Sequence, residues 1–365
     1  MTVELWYAAT FAAAFFLSVP LVLLAERAGV ALGFVDHPRP NEVQRRIIPR
    51  TGGYAVFLAF WLAILLSFIL PLPELERLEA DNWRLLGVLL GSLALLPLAF
   101  ADDSRRLGPA PQFAFQVMAA IIPTFFGLRM EEIATPLGII SVPNALAAPL
   151  AVLWIVAMIN AINLLDTMDG LAGGVTAITC AVLFTRTMWF DQTSIAVLPL
   201  ALGAACTGFL TRNWHPSHVI LGSSGSLFLG YLLGVITLVG GVKIGTAFLV
   251  LAVPILDVAW VIYRRVSTGR SPFHGGDAQH LPHRLRLLGL SDRRIVLSLY
   301  AVCGLLGAAV LAMHSVLPTM QKAVLATVVV AAVTATLAIV ARLTAAASSQ
   351  TAPPSVAVTE SDARS

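Results

Sequence analysis

The stretch "LAAPLAVLWIVAMINAINLLDTMDGLAGG" covers residues 146–174 and decides the fold class of this chain. Its first thirteen residues include no polar residue, and Asn160, Asn163, Asp166 and Asp169 then follow at a strict spacing of three. A long apolar segment is typical of a helix in lipid, and residues three apart lie on roughly one helix face. The stretch therefore predicts a membrane-spanning helix that ends in a polar binding site.

The whole chain has the composition of a membrane protein. Of its 365 residues 58% are hydrophobic and 12% charged, and the mean hydropathy is +0.85; soluble domains carry about 25% charged residues. A span needs about 20 mostly apolar residues. Eleven such segments lie near residues 5–26, 53–72, 84–101, 112–128, 145–162, 170–188, 193–210, 225–240, 245–263, 296–314 and 321–343. We therefore expect an all-α polytopic membrane protein with about eleven transmembrane helices.

The distribution of positive charge predicts the orientation of these helices. If the N-terminus lies outside, seventeen Lys and Arg residues fall on the inner side and six on the outer side. The positive-inside rule then places the N-terminus outside and the C-terminus in the cytoplasm. Residues 1–345 are expected to form one integral-membrane domain, and the polar residues 346–365 a disordered cytoplasmic tail.

With this topology the polar motifs all emerge on the cytoplasmic side. Asp102 and Asp103 follow an apolar run, so two adjacent carboxylates lie where a helix reaches the interface. Asp166 and Asp169, with Asn160 and Asn163, offer carboxylate and amide oxygens. Such oxygens are ligands for hard cations and can also bind sugar hydroxyls.

Two further segments are candidate binding sites for an anionic ligand. The stretch "GSSGSLFLG" (222–230) starts a helix, and its free N–H groups suit a phosphate, although an ordinary helix cap is the alternative. In the loop before residue 285, Asp277, His280 and His283 lie among arginines. The histidines are candidate zinc ligands, but no cysteine is near, and the arginines suit a polyphosphate better. A plain positive-inside loop is the remaining alternative.

Together these groups indicate Mg²⁺-assisted phosphoryl transfer at the inner membrane face, with an amphiphilic substrate entering from the bilayer. A transporter is the rival interpretation. Transporters, however, usually place ionisable residues and broken helices near the middle of the bilayer, whereas here they gather at one face. The sequence favours an interfacial enzyme.

The ordered motifs resemble those of the polyprenyl-phosphate N-acetylhexosamine-1-phosphate transferases. They are "IPRTGG" (48–53), "ADD" (101–103), "NAINLLDTMDGLAGG" (160–174), "GSSGSLFLG" (222–230), "PILD" (254–257) and "HLPHRL" (280–285). The resemblance implies transfer of a sugar 1-phosphate from a UDP-sugar to undecaprenyl phosphate with release of UMP. The last motif resembles the branch that uses UDP-GlcNAc or a related UDP-N-acetylhexosamine. It further implies a multi-pass protein of the inner membrane that serves cell-wall or lipopolysaccharide synthesis, with no nucleic-acid partner; a homodimer is left open.

The resemblance also implies roles for individual residues. The expected catalytic residues are Asp102, Asp103, Asp166, Asp169, His280 and His283. The expected substrate-binding residues are Asn160, Asn213, Gly222, Ser226 and Arg284. The expected metal is Mg²⁺, with Mn²⁺ as the alternative, and its expected ligands are Asn163, Asp166 and the residue at position 223.

Five positions depart from the pattern of that family. Ser223 stands where the family usually has the metal-binding Asp of "GDSGS", and a neutral hydroxyl brings no charge to hold Mg²⁺. The others are Glu42, Gln44, Gln112 and Pro282. The alternative function is therefore a catalytically silent paralogue that binds polyprenyl phosphate or a nucleotide-sugar as a scaffold or regulator.

Overall fold

The structure is a computed structural model that describes residues 2–37, 47–70, 79–105, 107–135, 138–190, 192–239, 244–269, 280–316 and 319–350. Within these ranges the chain is almost entirely helical. In chain order the helices are α1 (Val3–Leu32), α2 (Gly52–Ile69), α3 (Glu79–Arg105), α4 (Pro109–Phe125), α5 (Asn144–Leu165), α6 (Leu171–Trp189), α7 (Thr193–Asn213), α8 (Gly222–Leu238), α9 (Ile244–Val250), α10 (Ala252–Ser267), α11 (Leu281–Leu287), α12 (Asp292–Val316) and α13 (Thr319–Gln350).

Helix length and hydropathy confirm an all-α multi-pass membrane protein. In the described ranges eight helices are long and apolar enough to cross a bilayer, and the bent pair α9 and α10 brings the number to nine. Every predicted segment falls on one helix or on this pair, but α4 and α8 have only 17 residues each. The count of eleven spans therefore stays a prediction.

The outer surface of the bundle is apolar, as lipid requires. Phe16, Leu153 and Leu305 are at least 65% exposed although each lies in a long helix. In water such side chains would be buried, whereas in a bilayer they contact acyl chains at no cost. The exposure pattern thus agrees with the composition of the chain.

The segment predicted as one helix near 245–263 is broken in two. Helices α9 and α10 meet at an angle of 77° around Leu251. Pro254 lies three residues beyond the break; it lacks an N–H, and its ring clashes with the carbonyl group four residues earlier. The bend places Asp257, in the second turn of α10, among buried neighbours.

Two short antiparallel hairpins accompany the helices. Strands β1 (Val35–Asp36) and β2 (Ile48–Pro49) pair just before α2, and β3 (Glu132–Thr135) pairs with β4 (Gly138–Ser141). The first hairpin is tied to the start of α8, because the N–H of Ile220 donates to the carbonyl of Pro49. This contact brings the "IPRTGG" segment to the polar end of the bundle.

Helix α8 lies at the centre of the bundle, and all of its residues are buried. It packs against α2 through glycine: a Cβ on Gly53 would lie 2.6 Å from the carbonyl carbon of Ser224 and even closer to the backbone of Gly225. Small residues let helix backbones approach closely in membranes. This approach holds the first turn of α8, and with it Ser223, in one position.

Several sequence expectations lie outside the described residues. These are the departures Glu42 and Gln44, the loop residue Asp277, and residues 351–365 of the predicted tail. Helix α13 continues to Gln350, five residues beyond the predicted end of the membrane domain at 345.

Candidate active site

Asp103 caps the first turn of α8 from a different helix. Its two carboxylate oxygens accept the backbone N–H groups of Ser223 (2.8 Å) and Ser224 (3.2 Å), and its side chain is fully buried. The start of a helix has free N–H groups and a partial positive charge, so a carboxylate stabilises it. The predicted phosphate cradle of α8 is therefore partly occupied by the protein's own carboxylate.

Asp102 faces a different set of donors, because adjacent residues on a helix point about 100° apart. One oxygen accepts the N–H of Leu107 at 2.8 Å and the amide of Gln112 at 2.6 Å. The other oxygen accepts the hydroxyl of Ser223. Two of the departures from the family pattern, Ser223 and Gln112, thus both bind the same carboxylate as neutral donors.

Gly222 is required where α8 begins. Its φ is +70°, a left-handed conformation that L side chains rarely adopt, and a Cβ would collide with the carbonyl oxygen of Arg50. The prediction that Gly222 contacts a substrate stays untested, but its role in letting the backbone of Arg50 approach the start of α8 follows from this geometry.

Arg50 is a site residue that the sequence analysis missed. Its guanidinium lies 3.9 Å from a carboxylate oxygen of Asp103, and its positive charge also acts on Asp166. Its Nε is buried and has no acceptor among the described residues. The signal was available, because Arg50 belongs to "IPRTGG", the segment that leads into α2.

Asp166 is the C-cap of α5, at the point where the opening stretch leaves the membrane. Burial raises the pKa of Asp166 to about 7; Arg50 opposes this shift, and the charges of Asp169 and Asp103 add to it. Among the described residues no hydrogen bond reaches this carboxylate. A shielded carboxylate without a donor is a favourable ligand for a cation.

Asp169 is held by the loop that follows α7. Its carboxylate accepts the N–H of Ser217 at 3.1 Å and its hydroxyl at 2.8 Å, and it lies 2.9 Å from Nδ1 of His215. The sequence analysis did not select His215 or Ser217, although both belong to the polar stretch after Asn213. Asp169 therefore links the turn after α5 to this loop.

Asn213 braces the same turn with both ends of its amide. Its oxygen accepts the N–H of Gly170 at 2.9 Å, and its nitrogen donates to the carbonyl of Val219 at 2.8 Å. The side chain is buried. A contact between Asn213 and the substrate stays a prediction, whereas its structural role is plain.

The two asparagines of α5 have different partners. Asn160 donates to Gln116 of α4 at 2.7 Å, and the side-chain oxygen of Asn163 accepts the hydroxyl of Ser226 at 2.7 Å. The latter bond joins α5 to the first turn of α8. Asn163, Asp166, Ser223 and Ser226 consequently lie at one end of the bundle, as the sequence predicted.

A second cluster is centred on Asp257 of α10. Its carboxylate lies 3.0 Å from Nδ1 of His280 and accepts the N–H of Leu281 at 3.0 Å and a guanidinium N–H of Arg284 at 2.8 Å. Asp257, His280 and Arg284 are all buried. The sequence analysis included Asp257 in the motif "PILD" but assigned it no role, although a lone carboxylate in the apolar run of α10 indicates a functional site.

His283 and Arg284 lie among both basic and acidic side chains. Burial lowers the pKa of His283, and the charges of Arg286 and His280 lower it further. Burial likewise lowers the pKa of Arg284, although Asp257 opposes the shift.

Pro282, another departure from the family pattern, lies at the start of α11 and leaves the helix intact, because the first N–H groups of a helix need no partner within it.

A small cavity separates the Asp257 cluster from the end of α5, near the first cluster, which comprises Arg50, Asp102, Asp103, Asn163 and Asp166. Its lining includes Leu165, which precedes Asp166, together with Asp257 and Leu281. Within the described ranges no hydrogen bond or ion pair joins His280 or Arg284 to the aspartates of α3. The structure thus brings the predicted residues together as two neighbouring groups.

The chemistry of the oxygen donors can be compared with the needs of Mg²⁺. In the described part of the chain no three His, Cys, Asp or Glu side chains converge as a metal site, as a structural zinc would demand. Mg²⁺ is usually held by one or two carboxylates, with waters and substrate phosphates completing its shell. The carboxylate of Asp166, which accepts no hydrogen bond from the described residues, would be the charged ligand in that mode, with the oxygens of Asn163 and Ser223 as neutral candidates.

The fold and the two clusters define an integral-membrane enzyme whose polar site lies at one end of a helical bundle. The sequence model of glycosyl transferase family 4 matches residues 85–241. A Bacillus subtilis protein named as a probable undecaprenyl-phosphate N-acetylglucosaminyl 1-phosphate transferase is 33% identical over 79% of this chain and 81% of its own length.

Two other relatives have related names. A decaprenyl-phosphate N-acetylglucosaminephosphotransferase of Mycobacterium tuberculosis is 31% identical over 80% of this chain and 77% of its own. An undecaprenyl-phosphate alpha-N-acetylglucosaminyl 1-phosphate transferase of Escherichia coli is 28% identical over 82% of each. The chain belongs to the polyprenyl-phosphate N-acetylhexosamine-1-phosphate transferase family, and it is a glycosyl-1-phosphate transferase.

Proposed function

We propose that this protein transfers N-acetylglucosamine 1-phosphate, or the 1-phosphate of a related N-acetylhexosamine, from a UDP-sugar to undecaprenyl phosphate. An oxygen of the lipid phosphate attacks the phosphorus atom that carries the sugar. The bond from that phosphorus to the oxygen shared with the uridylyl phosphate breaks, and UMP leaves. The names of the relatives support a polyprenyl-phosphate acceptor and an N-acetylglucosamine donor.

The observation that carries this proposal is the meeting of Asp102, Asp103 and Arg50 with the first turn of α8. Phosphoryl transfer depends on the positioning of charged oxygens and on stabilisation of negative charge. The Nε of Arg50, which has no acceptor among the described residues, offers a donor to a phosphate oxygen. Asp166 and Asn163 would hold Mg²⁺, which when bound neutralises charge on the phosphates and orients them.

We assign the remaining roles to residues of the two clusters. Asp102, fixed by three donors, is placed to orient the lipid phosphate, and Asp103 holds α8 and Arg50 beside it. His280, His283 and Arg284 would contact the donor from the second cluster. The test is a transfer assay with radiolabelled UDP-GlcNAc and undecaprenyl phosphate, with and without Mg²⁺. The absence of labelled lipid under all conditions would exclude the proposal.

We also propose eleven spans in a bacterial inner membrane, with the N-terminus outside and residues 1–345 as one domain. Labelling of single cysteines tests this topology, because the native Cys180, Cys206 and Cys303 are buried. Gly275→Cys is expected to react with an impermeant thiol reagent only from the cytoplasm, and Glu76→Cys only from outside. The reverse pattern would place the polar motifs on the wrong face for a nucleotide-sugar.

The silent paralogue is the second candidate, and the contacts of Ser223 favour it, since a hydroxyl now occupies one oxygen of Asp102. Ser223→Asp discriminates between the two candidates. If the wild type is an active enzyme whose affinity for Mg²⁺ is reduced by Ser223, the new carboxylate should lower the Mg²⁺ concentration needed for half-maximal turnover. Turnover measured against Mg²⁺ concentration, for the wild type and Ser223→Asp, gives the answer.

Two other results have distinct meanings. Inactivity of both proteins would support the silent paralogue, because one new carboxylate does not supply the side chains that the family usually has at Gln112 and Pro282. An active wild type with a slower variant would mean that Ser223 is adapted to its present contact. In that case the second carboxylate repels Asp102, and Asp166 holds the metal without help from position 223.

A further inference from the structure

Asp257 is a buried carboxylate to which the proposed reaction assigns no role, although its surroundings are those of an active site. It is 5% exposed, and it lies between α10 and the start of α11. Three donors from "HLPHRL" converge on it: the His280 ring, the Leu281 backbone and the Arg284 guanidinium. A single side chain thus determines the placement of two predicted site residues.

The contact with His280 determines which ring nitrogen carries a proton. A carboxylate only accepts hydrogen bonds, so Nδ1 of His280, 3.0 Å from Oδ2 of Asp257, must be the donor. In the neutral ring Nε2 is then left with its lone pair. His280 therefore presents an acceptor on the edge that faces away from Asp257.

In its contact with Asp257, Arg284 uses only one of its three guanidinium nitrogens. Its Nη2 binds Asp257 at 2.8 Å, whereas Nε and Nη1 are buried and have no acceptor among the described residues. Arg284 is 6% exposed, so water does not readily provide acceptors for these two groups. A phosphate offers oxygens in the arrangement that a guanidinium matches, and it would satisfy both groups.

We propose that Asp257 is the positioning residue of the second cluster: it fixes the Nδ1–H tautomer of His280 and aims Arg284 at a phosphate group of a substrate. This inference rests on the proposed transfer reaction and deepens it. Asp257 touches no substrate itself and acts through the two side chains that do. The phosphate belongs either to the nucleotide-sugar or to the polyprenyl phosphate.

Asp257→Asn separates positioning from folding. The two donors that share Oδ1, the Leu281 N–H and the Arg284 guanidinium, cannot become acceptors, so the amide oxygen of Asn must face them. The amide NH₂ then faces His280, whose ring can become an acceptor by moving its proton to Nε2. We therefore expect a folded protein with the opposite tautomer of His280.

The experiment combines a spectrum with kinetics. In protein labelled with ¹⁵N-histidine, at a pH where the rings are neutral, NMR should show the proton on Nδ1 of His280 in the wild type and on Nε2 in Asp257→Asn; His280→Gln identifies the signal. Turnover should fall by about 100-fold or more, as for a misplaced acid–base group. The KM should rise mainly for the substrate whose phosphate Arg284 binds, which distinguishes the two sources.

Glu26→Gln is the matched control, because Glu26 also joins two helices through an arginine, Arg212 of α7, and forms no hydrogen bond with a histidine of the described ranges. Its tautomer spectrum and turnover should match those of the wild type. A wild-type proton on Nε2, or unchanged turnover in Asp257→Asn despite a reversed tautomer, would overturn the inference. An inactive wild type would overturn the transfer reaction and the catalytic role together, while the spectrum still decides whether Asp257 orients His280.

Discussion

Asp166→Asn is expected to lower turnover by at least about 100-fold while the protein stays folded. The carboxylate accepts no hydrogen bond from the described residues. Replacement by an isosteric amide therefore deprives none of their donors of its acceptor. What the variant loses is the negative charge at the end of α5, beside Arg50 and the candidate Mg²⁺ ligands. Initial rates with saturating substrates, together with a melting curve, measure both effects.

Stability against pH gives a second readout that does not depend on activity. Burial raises the pKa of Asp166 from 3.8 to about 7, so the folded state holds this proton more tightly than the unfolded chain. In metal-free buffer the wild type should therefore lose stability as the pH rises through that interval. Asp166→Asn should lack this loss and be the more stable protein at pH 8. Added Mg²⁺ should raise the melting temperature of the wild type alone.

Asp81→Asn is a suitable control for both measurements. Asp81 lies at the opposite end of α3 and accepts hydrogen bonds from Ser194 and Arg84. Its replacement should leave turnover and the response to Mg²⁺ unchanged. Near-normal turnover in Asp166→Asn would show that Asp166 is not a metal ligand. Equal stabilisation of the wild type and Asp166→Asn by Mg²⁺ would show the same.

Gly53→Ala is expected to have the largest effect on folding. The added Cβ would lie 2.6 Å from the carbonyl carbon of Ser224 and nearer still to the backbone of Gly225. Backbone atoms cannot move aside as a side chain does, so α2 and α8 must separate. Overpacking usually costs about 1–3 kcal/mol, and a clash with two backbones belongs at or above the upper end. Activity should be lost as well, because α8 carries Ser223 and Ser226.

Gly304→Ala provides the comparison for this prediction. Gly304 lies within α12, and a Cβ there meets no atom within 4 Å. Ala is the better helix former by about 1 kcal/mol, so this variant should be at least as stable as the wild type. Melting temperatures and the yield of folded protein in detergent compare the two. Equal behaviour of both variants would show that the α2–α8 contact tolerates a methyl group.

The sequence alone determined the fold class and the family. Apolar runs of about 20 residues have few solutions other than a membrane helix, because lipid satisfies no backbone polar group. The polar residues at the helix ends were equally legible: Asp102, Asp103, Asn163 and Asp166 lie at one end of the bundle in the structure. Their order along the chain indicated the family, which the relatives confirm.

The bend between α9 and α10 could not be predicted from the hydropathy pattern. Residues 245–263 form an apolar run that predicts one straight span, yet α9 and α10 meet at 77°. Hydropathy reports the free energy of transfer into lipid and does not depend on the direction of the helix axis. A bend at Leu251 therefore does not change the hydropathy profile. Pro254 was a local hint, but prolines also lie inside α1, α3 and α5.

Only the tertiary structure decided which polar groups are partners. Arg50, His215 and Asp257 are distant in sequence from the residues they contact, and each belongs to the site through one or two contacts between elements. The structure likewise showed that Ser223 and Gln112 share Asp102 as their acceptor. A hydrogen bond requires donor and acceptor within about 3 Å. Periodicity places a side chain on a helix face, but the packing of α8 among α2, α3 and α5 determines what that face meets.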